Sequence, residues 1–303
     1  MAYVVRKKIE VLDCAAGNTV SEYPDMKCLT ARLAVGGHHP KLSLPICVYQ
    51  FGGGVSNFFL RDVYWEAQQV AAVVRLLLAD RRLQFVDIGA NIGTYSLAAA
   101  HAGVRVVAVE PGCENRRRLA RSICLGNIGQ QVTVVRAAIS NRRTSARLKN
   151  SAAAGNTGNA HLMMNASCGD KCGEVVETML LNDLLPLLQR SSSSLSSDGR
   201  PAAILKIDIE GHEVQAFDPR TASNFFELID VPVIYIEWHP RTPTNTNDGR
   251  HIVTDKDDLE RMVTFLRLRG YVDEAGKDID AHFRAGHHNF VMAQANLTTR
   301  NRS

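Results

Sequence analysis

Residues 85–100 read FVDIGANIGTYSLAAA, and this short stretch decides the fold. The apolar residues on both sides of Asp87 are typical of a buried strand, and the alanine-rich segment after Gly93 is typical of a helix. Gly89 and Gly93 stand where the strand turns into the helix, and a residue without a side chain lets the backbone approach a ligand closely. The helix N-terminus behind the turn carries unpaired N–H groups that favour an anion. The sequence therefore predicts a strand–turn–helix crossing built around a ligand.

Apolar strands alternate with helices along the rest of the chain. The predicted strands are residues 83–89, 104–111, 132–140, 202–211, 231–240 and 287–295, and the predicted helices are residues 65–80, 93–103, 113–127 and 181–190. Continuous apolar strands separated by helices predict a doubly wound, mostly parallel α/β sheet with both faces covered. In such a sheet the ligand lies outside the carboxyl ends of the strands, beside the first strand.

No linker or internal repeat divides the chain. Residues 1–80 lack the strand–helix rhythm until their last helix, so we interpret them as an N-terminal cap on the same domain. Residues 81–303 form the predicted main domain, with an insertion at about 141–200. The insertion contains a serine-rich loop at 191–199, which is typical of a flexible surface connection.

The composition is that of a globular protein. The chain has 303 residues, of which 45% are hydrophobic and 22% are charged, so it can bury a sizeable core. Its net charge of +4 is too small to indicate a nucleic-acid or membrane partner by itself. No apolar run approaches the ~20 residues of a membrane span, so we expect none.

The cysteines leave the compartment undecided. Seven scattered cysteines form an odd set, and from them we predict no disulfide framework. Cys168 and Cys172 lack a second pair at zinc spacing, so no metal is expected there. Sequons at Asn165 and Asn296 leave a secretory route open, but the start MAYVVRKKIEVLD has no apolar signal-peptide core, which slightly favours the cytoplasm.

Two ligand classes fit the glycine turn, a dinucleotide and S-adenosylmethionine. The dinucleotide fingerprint is GxGxxG, whereas residues 89–93 read GANIG. S-adenosylmethionine carries a cationic amine and a sulfonium, which suit Asp87 at the strand end. Glu110 follows the next strand, where its carboxylate would accept both ribose hydroxyls. Glu110 alone also suits NAD, so the glycine spacing favours S-adenosylmethionine.

The fourth and fifth predicted strands end in ionisable side chains. These are Lys206, Asp208, Glu210, His212 and Glu213 after the fourth strand, and Glu237 and His239 after the fifth. Burying so many charges is costly, so we expect these strand ends to line a wet or ligand-filled cleft. Because the two strands are neighbours in a doubly wound sheet, their ends meet in one place.

These motifs together resemble the FkbM-type family of S-adenosylmethionine-dependent methyltransferases. The resemblance covers about residues 64–295 and includes DIGANIGTYS, VVAVEP, LKIDIEGHE and IEWHP. Upstream, Trp65 and Glu66 match the Trp-Glu pair of the family, and NTGNAHL from Asn156 resembles its Asn-x-Gly stretch. The resemblance implies a Rossmann-like class I methyltransferase fold and methyl transfer to a hydroxyl oxygen of a sugar or small metabolite. Residues 28–54 have no counterpart, and they either shape acceptor specificity or thicken the fold.

The resemblance also implies the site residues. The residues expected to hold S-adenosylmethionine are Asp87, Gly89, Ala90, Asn91, Gly93, Tyr95, Glu110, Ala138 and Asp208. A hydroxyl acceptor also needs a base to take its proton. The candidate bases are His212, His239, Asp208 and Glu237.

Asp208 and Glu237 allow two further interpretations. They share a divalent cation, or Asp208 contacts the methionine amine while Glu237 pairs with Lys206. We favour the second interpretation, and therefore no metal site.

The acceptor is expected to be a small molecule or a glycan, and the sequence does not indicate the oligomeric state. Residues 114–149 contain nine Lys or Arg and one acid, a pattern that most often marks a solvated face but also fits an anionic partner such as RNA. Because interleaved aromatic residues for base stacking are missing, an RNA methyltransferase is the less favoured alternative. A non-catalytic cofactor-binding protein is a second alternative.

Overall fold

The structure is a computed structural model that describes residues 8–10, 12, 14, 24–39, 41–51, 54–149, 160–164, 173–188, 199–238, 255–284 and 288–295. The strands are β1 Met26–Leu33, β2 Leu42–Tyr49, β3 Leu83–Ile88, β4 Val106–Val109, β5 Val132–Val135, β6 Ala138–Ile139, β7 Ser145–Lys149, β8 His161–Met163, β9 Glu174–Met179, β10 Ala202–Ile207, β11 Val233–Trp238, β12 Tyr271–Asp273 and β13 His288–Gln294. The helices are α1 Val55–Leu60, α2 Ala67–Ala79, α3 Thr94–His101, α4 Cys113–Leu125, a 3₁₀ helix Leu181–Leu187, α5 Glu213–Ala216, α6 Pro219–Leu228, α7 Lys256–Arg267 and α8 Asp280–Arg284.

Seven strands form the central sheet in the order β12-β13-β11-β10-β3-β4-β5. The five strands from β11 to β5 run parallel, and β13 is antiparallel to both of its neighbours. The chain leaves β3 toward β4 on one side and returns to β10 on the other, which makes the carboxyl end of β3 a topological switch point. The predicted doubly wound, mostly parallel α/β sheet is thus confirmed.

The predicted third strand, residues 132–140, is wrong as a single strand. Strand β5 ends at Val135, and Arg136 is exposed with its N–H bonded to the carbonyl of Lys8. Strand β6 then pairs with β9 in a separate sheet of order β6-β9-β7-β8. The described part of the insertion therefore contains a small sheet, and Pro186 lies inside a 3₁₀ helix where we predicted a longer helix.

The described part of the first 80 residues packs on one face of the sheet. Strands β1 and β2 form an antiparallel hairpin in register from Met26 opposite Tyr49 to Leu33 opposite Leu42. Apolar side chains of this hairpin share a hydrophobic cluster with α2, α3 and β3. The boundary of the cap at residue 80 stays a prediction. No helix in the described ranges is both long and apolar enough to cross a membrane.

The cysteine prediction is wrong, because four cysteines form two disulfides. Cys14 bridges to Cys124 in α4, and Cys28 bridges to Cys47, which lies directly opposite it in the hairpin. The first bridge joins residues 110 positions apart, so the sequence order gives no sign of it. Cys113 is a free thiol, and Cys168 and Cys172 lie outside the described residues.

We predict that the Cys14→Ser, Cys124→Ser double variant has a lower Tm than the native chain. Closing a loop of this length restricts the unfolded chain, which stabilises the fold by up to about 4.7 kcal/mol in the chain-entropy model. The measurement is thermal unfolding, with Cys113→Ser as the control for loss of a free thiol. Equal Tm values, together with no linked Cys14–Cys124 peptide in a non-reducing digest, would contradict the assignment.

Candidate active site

Two glycines shape the turn between β3 and α3. Gly89 has φ +80°, and a Cβ on it would lie 1.7 Å from the carbonyl oxygen of Asp208. Gly93 has φ +97°, and a Cβ there would lie 2.4 Å from the δ1 carbon of Leu119. Any side chain at either position would displace its neighbours, so the turn needs glycine for both its conformation and its close packing. The close approach at Gly89 brings the turn directly against the end of β10.

Glu110 follows β4 and faces this turn. Its Oε2 accepts the N–H of Asn91 at 2.9 Å, and its Oε1 accepts the N–H of Gly112 at 2.8 Å and the Nδ2 of Asn115 at 3.3 Å. Burial raises the pKa of the carboxyl, although these donors act in the opposite direction. A buried carboxylate held this firmly presents its remaining lone pairs in fixed directions to a donor such as a ribose hydroxyl.

A cavity that is partly open to solvent lies at the carboxyl ends of β3 and β4. Its apolar wall consists of Val109, Ala137, Ala138, Ile139, Leu148 and Leu162, the last two from the small sheet of the insertion. Of the predicted cofactor residues, Gly89, Asn91, Glu110, Ala138 and Asp208 line it. These features fit S-adenosylmethionine, because the apolar wall suits the adenine, Glu110 suits the ribose and Asp208 suits the amine or sulfonium.

Four predicted cofactor residues do not line this cavity, namely Asp87, Ala90, Gly93 and Tyr95. Gly93 and the buried Ala90 shape the turn itself. Asp87 is 1% exposed, and its Oδ2 accepts the Ser96 hydroxyl at 2.6 Å. The pleat of β3 explains this, since Asp87 faces the opposite side of the strand from Ile88, which lines the cavity.

Lys206 connects the strand ends. Its Nζ lies 3.6 Å from Oδ1 of Asp87 and 3.3 Å from Oδ2 of Asp208, and its side chain is 10% exposed. Burial lowers the pKa of Lys206, but the surrounding carboxylates outweigh burial and hold the pKa above its ordinary value. The ammonium is therefore charged and balances both carboxylates.

Asp208 and Glu237 form a hydrogen-bonded carboxyl pair beside Lys206. Burial raises the pKa of Asp208 well above its ordinary value; Lys206 lowers it, and Glu237 and Glu210 raise it. Two carboxyl groups in contact do not both ionise readily, so they tend to share a proton. In the described ranges no group of three or more His, Cys, Asp or Glu side chains is arranged to hold a metal ion.

A second, larger cavity, also partly open to solvent, lies on the other side of this pair. Its lining includes the carboxylates Glu66, Glu237, Asp273 and Glu274, the amides Gln68, Gln69 and Asn289, and the rings Tyr95, Tyr235 and Phe290, with Lys206 at its base. Burial raises the pKa of Tyr235 to about 12, so its hydroxyl stays protonated at neutral pH. Asp208 lines the first cavity, and Lys206 and Glu237 line the second, so this group of charged side chains stands between the two cavities.

Sequence reasoning missed Glu66 as a site residue. Its Oε2 accepts the Tyr95 hydroxyl at 2.7 Å and its Oε1 accepts the Nδ2 of Asn289 at 3.0 Å. Glu66 was visible in the sequence only as half of the Trp-Glu pair that the family resemblance contains. Tyr95 contacts Glu66 and lines the second cavity, not the first.

Of the two candidate histidines, only His212 lies among the described residues. His212 is 1% exposed and lines the first cavity, where Glu213 holds the adjacent turn by accepting the N–H groups of Ile209 and Gly211. His239 lies outside the described residues, as does the Asn-x-Gly stretch from Asn156. Among the described candidates, the geometry brings Asp208 and His212 to the first cavity and Glu237 to the second.

The basic run is exposed in part, and three of its arginines are buried or ion-paired. Arg118 is 1% exposed, and its guanidinium carbon lies 3.3 Å from the centre of the Tyr49 ring. Arg116 pairs with Glu10, and Arg143 pairs with Asp183. The positive charge of these three side chains is therefore paired within the protein, and less of the run's charge is available to an anionic partner.

The fold and the first cavity are those expected of an S-adenosylmethionine-dependent methyltransferase. The sequence matches the Methyltransferase FkbM domain over residues 87–272, which is more than half of the chain. The chain therefore belongs to the FkbM methyltransferase family, as the sequence motifs indicated. No curated protein matches the sequence significantly.

Several solved methyltransferases resemble the chain weakly. The O-methyltransferase TomG of Streptomyces achromogenes is 15% identical, with a TM-score of 0.37 over 78% of this chain and 84% of its own. The magnesium protoporphyrin IX methyltransferase ChlM of Synechocystis PCC 6803 is 16% identical, with a TM-score of 0.36 over 74% and 81%. TM-scores this low do not decide function, so the assignment depends on the family match.

We predict that Glu110→Gln weakens S-adenosylmethionine binding by about 10- to 100-fold, as expected for a lost charged hydrogen bond. The glutamine NH₂ would also lie against the N–H donor of either Asn91 or Gly112, because only one of its two terminal atoms can accept a hydrogen bond. Isothermal titration calorimetry measures the effect. Glu260→Gln, on the exposed face of α7, is the matched control and should bind as the native chain does. An unchanged Kd in folded Glu110→Gln would remove Glu110 from the cofactor site.

Proposed function

We propose that this protein transfers a methyl group from S-adenosylmethionine to a hydroxyl oxygen of a sugar or small metabolite. The observation that carries the proposal is the carboxyl pair of Asp208 and Glu237, which stands between the two cavities with Lys206 beside it. A transferase for two ligands needs two binding spaces that meet at the reacting atoms. This arrangement supports a catalytic protein over one that only binds the cofactor.

S-adenosylmethionine, when bound, supplies an electrophilic methyl group. The protein's part is to align the acceptor oxygen and to take its proton, and alignment alone can contribute about 7–11 kcal/mol to lowering the barrier. A positioned base adds about 10²- to 10⁴-fold in rate. Both tasks fall to side chains at the junction of the two cavities.

Asp208 is the base that the geometry favours. An ordinary aspartate is a weak base at neutral pH, but a carboxyl whose pKa is raised by burial is better matched to a hydroxyl proton. Asp208 is hydrogen-bonded to Glu237, so a proton taken by Asp208 can be shared between the two carboxyl groups. Lys206 keeps the junction from carrying excess negative charge. Glu237 and His212 remain the alternative bases among the described residues.

The second cavity is the proposed acceptor site. Its amides and carboxylates can bind hydroxyl groups, and its aromatic rings can pack against a sugar or another small ring. Glu237 shares a proton with Asp208, which leaves three carboxylates, the Lys206 ammonium and the His282 ring in the lining. The carboxylates outnumber the cationic groups, which gives a negative field that opposes phosphate, sulfate and carboxylate groups. This charge balance favours an uncharged acceptor over RNA.

We predict that methyl transfer is seen with uncharged polyols and glycosides and not with polyanions. The assay incubates the protein with methyl-labelled S-adenosylmethionine and matched acceptors, each as a neutral sugar, the corresponding uronic acid and the sugar phosphate, with RNA oligonucleotides as a further set. Labelling of neutral members supports the proposal. Labelling restricted to RNA or to the phosphates would overturn it.

We predict opposite pH shifts for two variants at the junction. The base must be deprotonated, so the rate rises with pH through the raised pKa of Asp208. Glu237→Gln removes a carboxylate that raises this pKa, which moves the acidic limb of the kcat profile to lower pH. Lys206→Met removes the cation that lowers it, which moves the limb to higher pH.

The control for these pH profiles is Glu227→Gln on the exposed face of α6, which alters the net charge equally and should leave the limb in place. If both junction variants keep the native profile, Asp208 is not the base.

We further infer that the protein matures in an oxidising compartment. The bridges Cys14–Cys124 and Cys28–Cys47 both hold the N-terminal hairpin region, and such structural disulfides persist where thiols are not kept reduced. This inference runs against the slight preference for the cytoplasm drawn from the sequence. Reduced cysteines in protein taken from its native cells would contradict it.

A further inference from the structure

We propose that the N-terminal hairpin belongs to the cofactor site, with Tyr49 as a positioning residue that acts through Asn115 on Glu110. The hairpin lies outside residues 87–272, the part of the chain that matches the family. The proposal rests on the proposed role of Glu110 as the acid that binds the ribose. It gives a function to a segment that sequence reasoning left open between acceptor specificity and simple thickening of the fold.

A chain of hydrogen bonds joins the hairpin to the cofactor cavity. The Tyr49 hydroxyl donates to Oδ1 of Asn115 at 2.9 Å, and Nδ2 of Asn115 donates to Oε1 of Glu110 at 3.3 Å. All three side chains are buried, and Asn115 and Glu110 line the cavity. The ionised carboxylate only accepts hydrogen bonds, so Asn115 must direct its NH₂ to Glu110 and its oxygen to Tyr49.

The Tyr49 ring is itself held in place. The Arg118 guanidinium stacks on it, and this guanidinium donates to the backbone oxygen of Asp25 at 3.0 Å and to Oε2 of Glu114 at 3.1 Å. The Tyr49 N–H donates to the Ser56 hydroxyl at 3.1 Å. A ring fixed on its face and at its backbone keeps its hydroxyl at one point, which is what a positioning residue requires.

The hairpin and helix α4 also form one rigid unit. The N–H of Cys47 donates to the Ser122 hydroxyl of α4 at 2.8 Å, and the Cys14–Cys124 bridge attaches a second N-terminal residue to the same helix. Asn115 lies in the first turn of α4. The position of the hairpin is therefore transmitted directly to the side chain that orients Glu110.

Loss of the Tyr49 hydroxyl would release the amide of Asn115. Its oxygen would lack this buried donor, and rotation of the amide would place that oxygen against the Glu110 carboxylate, where two acceptors repel each other. The cofactor would then meet a less ordered acid. If Tyr49 only stabilised the fold, loss of its hydroxyl would lower the Tm and leave the Kd of the cofactor unchanged.

The test compares Tyr49→Phe with Tyr271→Phe by calorimetry with S-adenosylmethionine and by thermal unfolding. Both changes remove a buried hydroxyl and keep the ring, but the Tyr271 hydroxyl bonds the carbonyl of Val231, away from the cofactor cavity. We expect Tyr49→Phe to raise the Kd about three- to tenfold, the usual effect of one neutral hydrogen bond. Tyr271→Phe should bind the cofactor as the native chain does.

A double-mutant cycle with Glu110→Gln shows whether Tyr49 acts through the acid. If it does, Tyr49→Phe has little further effect on the Kd in the Glu110→Gln background. Full additivity, or a native Kd in Tyr49→Phe, would overturn the proposal. A native Kd in Glu110→Gln would instead overturn the assigned role of Glu110, so the two failures are distinguishable.

Discussion

The buried ammonium of Lys206 lies between the carboxylates of Asp87 and Asp208, where the parallel strands β3 and β10 end. The register of these strands places Lys206 directly opposite Asp87, so the ion pair follows from the sheet itself. Buried carboxylates without such a partner would be costly. The crossing at Gly89 also depends on this arrangement, because Nζ of Lys206 lies 3.5 Å from the Gly89 carbonyl oxygen.

This junction separates two kinds of chemistry. On one side, the backbone at Gly89, the acid Glu110 and an apolar wall form a space for an adenosyl group. On the other, carboxylates, amides and rings form a larger and more polar space. Asp208 and Glu237 face these spaces from opposite sides, which gives the carboxyl pair its proposed part in proton transfer. The small sheet of the insertion contributes Leu148 and Leu162 to the first space, and the hairpin is connected to it through the Tyr49–Asn115 hydrogen bond.

Local spacing predicted much of the fold and of the cofactor site. The GxxxG turn, the acid after the next strand and the ionisable strand ends are short-range patterns, and Gly89, Glu110 and Asp208 lie in the cavity as expected. Asp87 does not line the first cavity, because successive residues of a strand face opposite sides of the sheet. This alternation could have been applied to the sequence alone. The disulfides, the buried Arg118 and the contact of Tyr49 with Asn115 depend on segments brought together by folding, which no local pattern records.

The most direct test of the central claim is a crystal structure with S-adenosylhomocysteine. It should show the ribose hydroxyls within hydrogen-bond distance of the Glu110 carboxylate, the adenine against the wall of Ile139 and Leu148, and the sulfur on the side of Asp208. A ligand bound in the second cavity, or an adenosyl group that makes no contact with Glu110, would contradict the account.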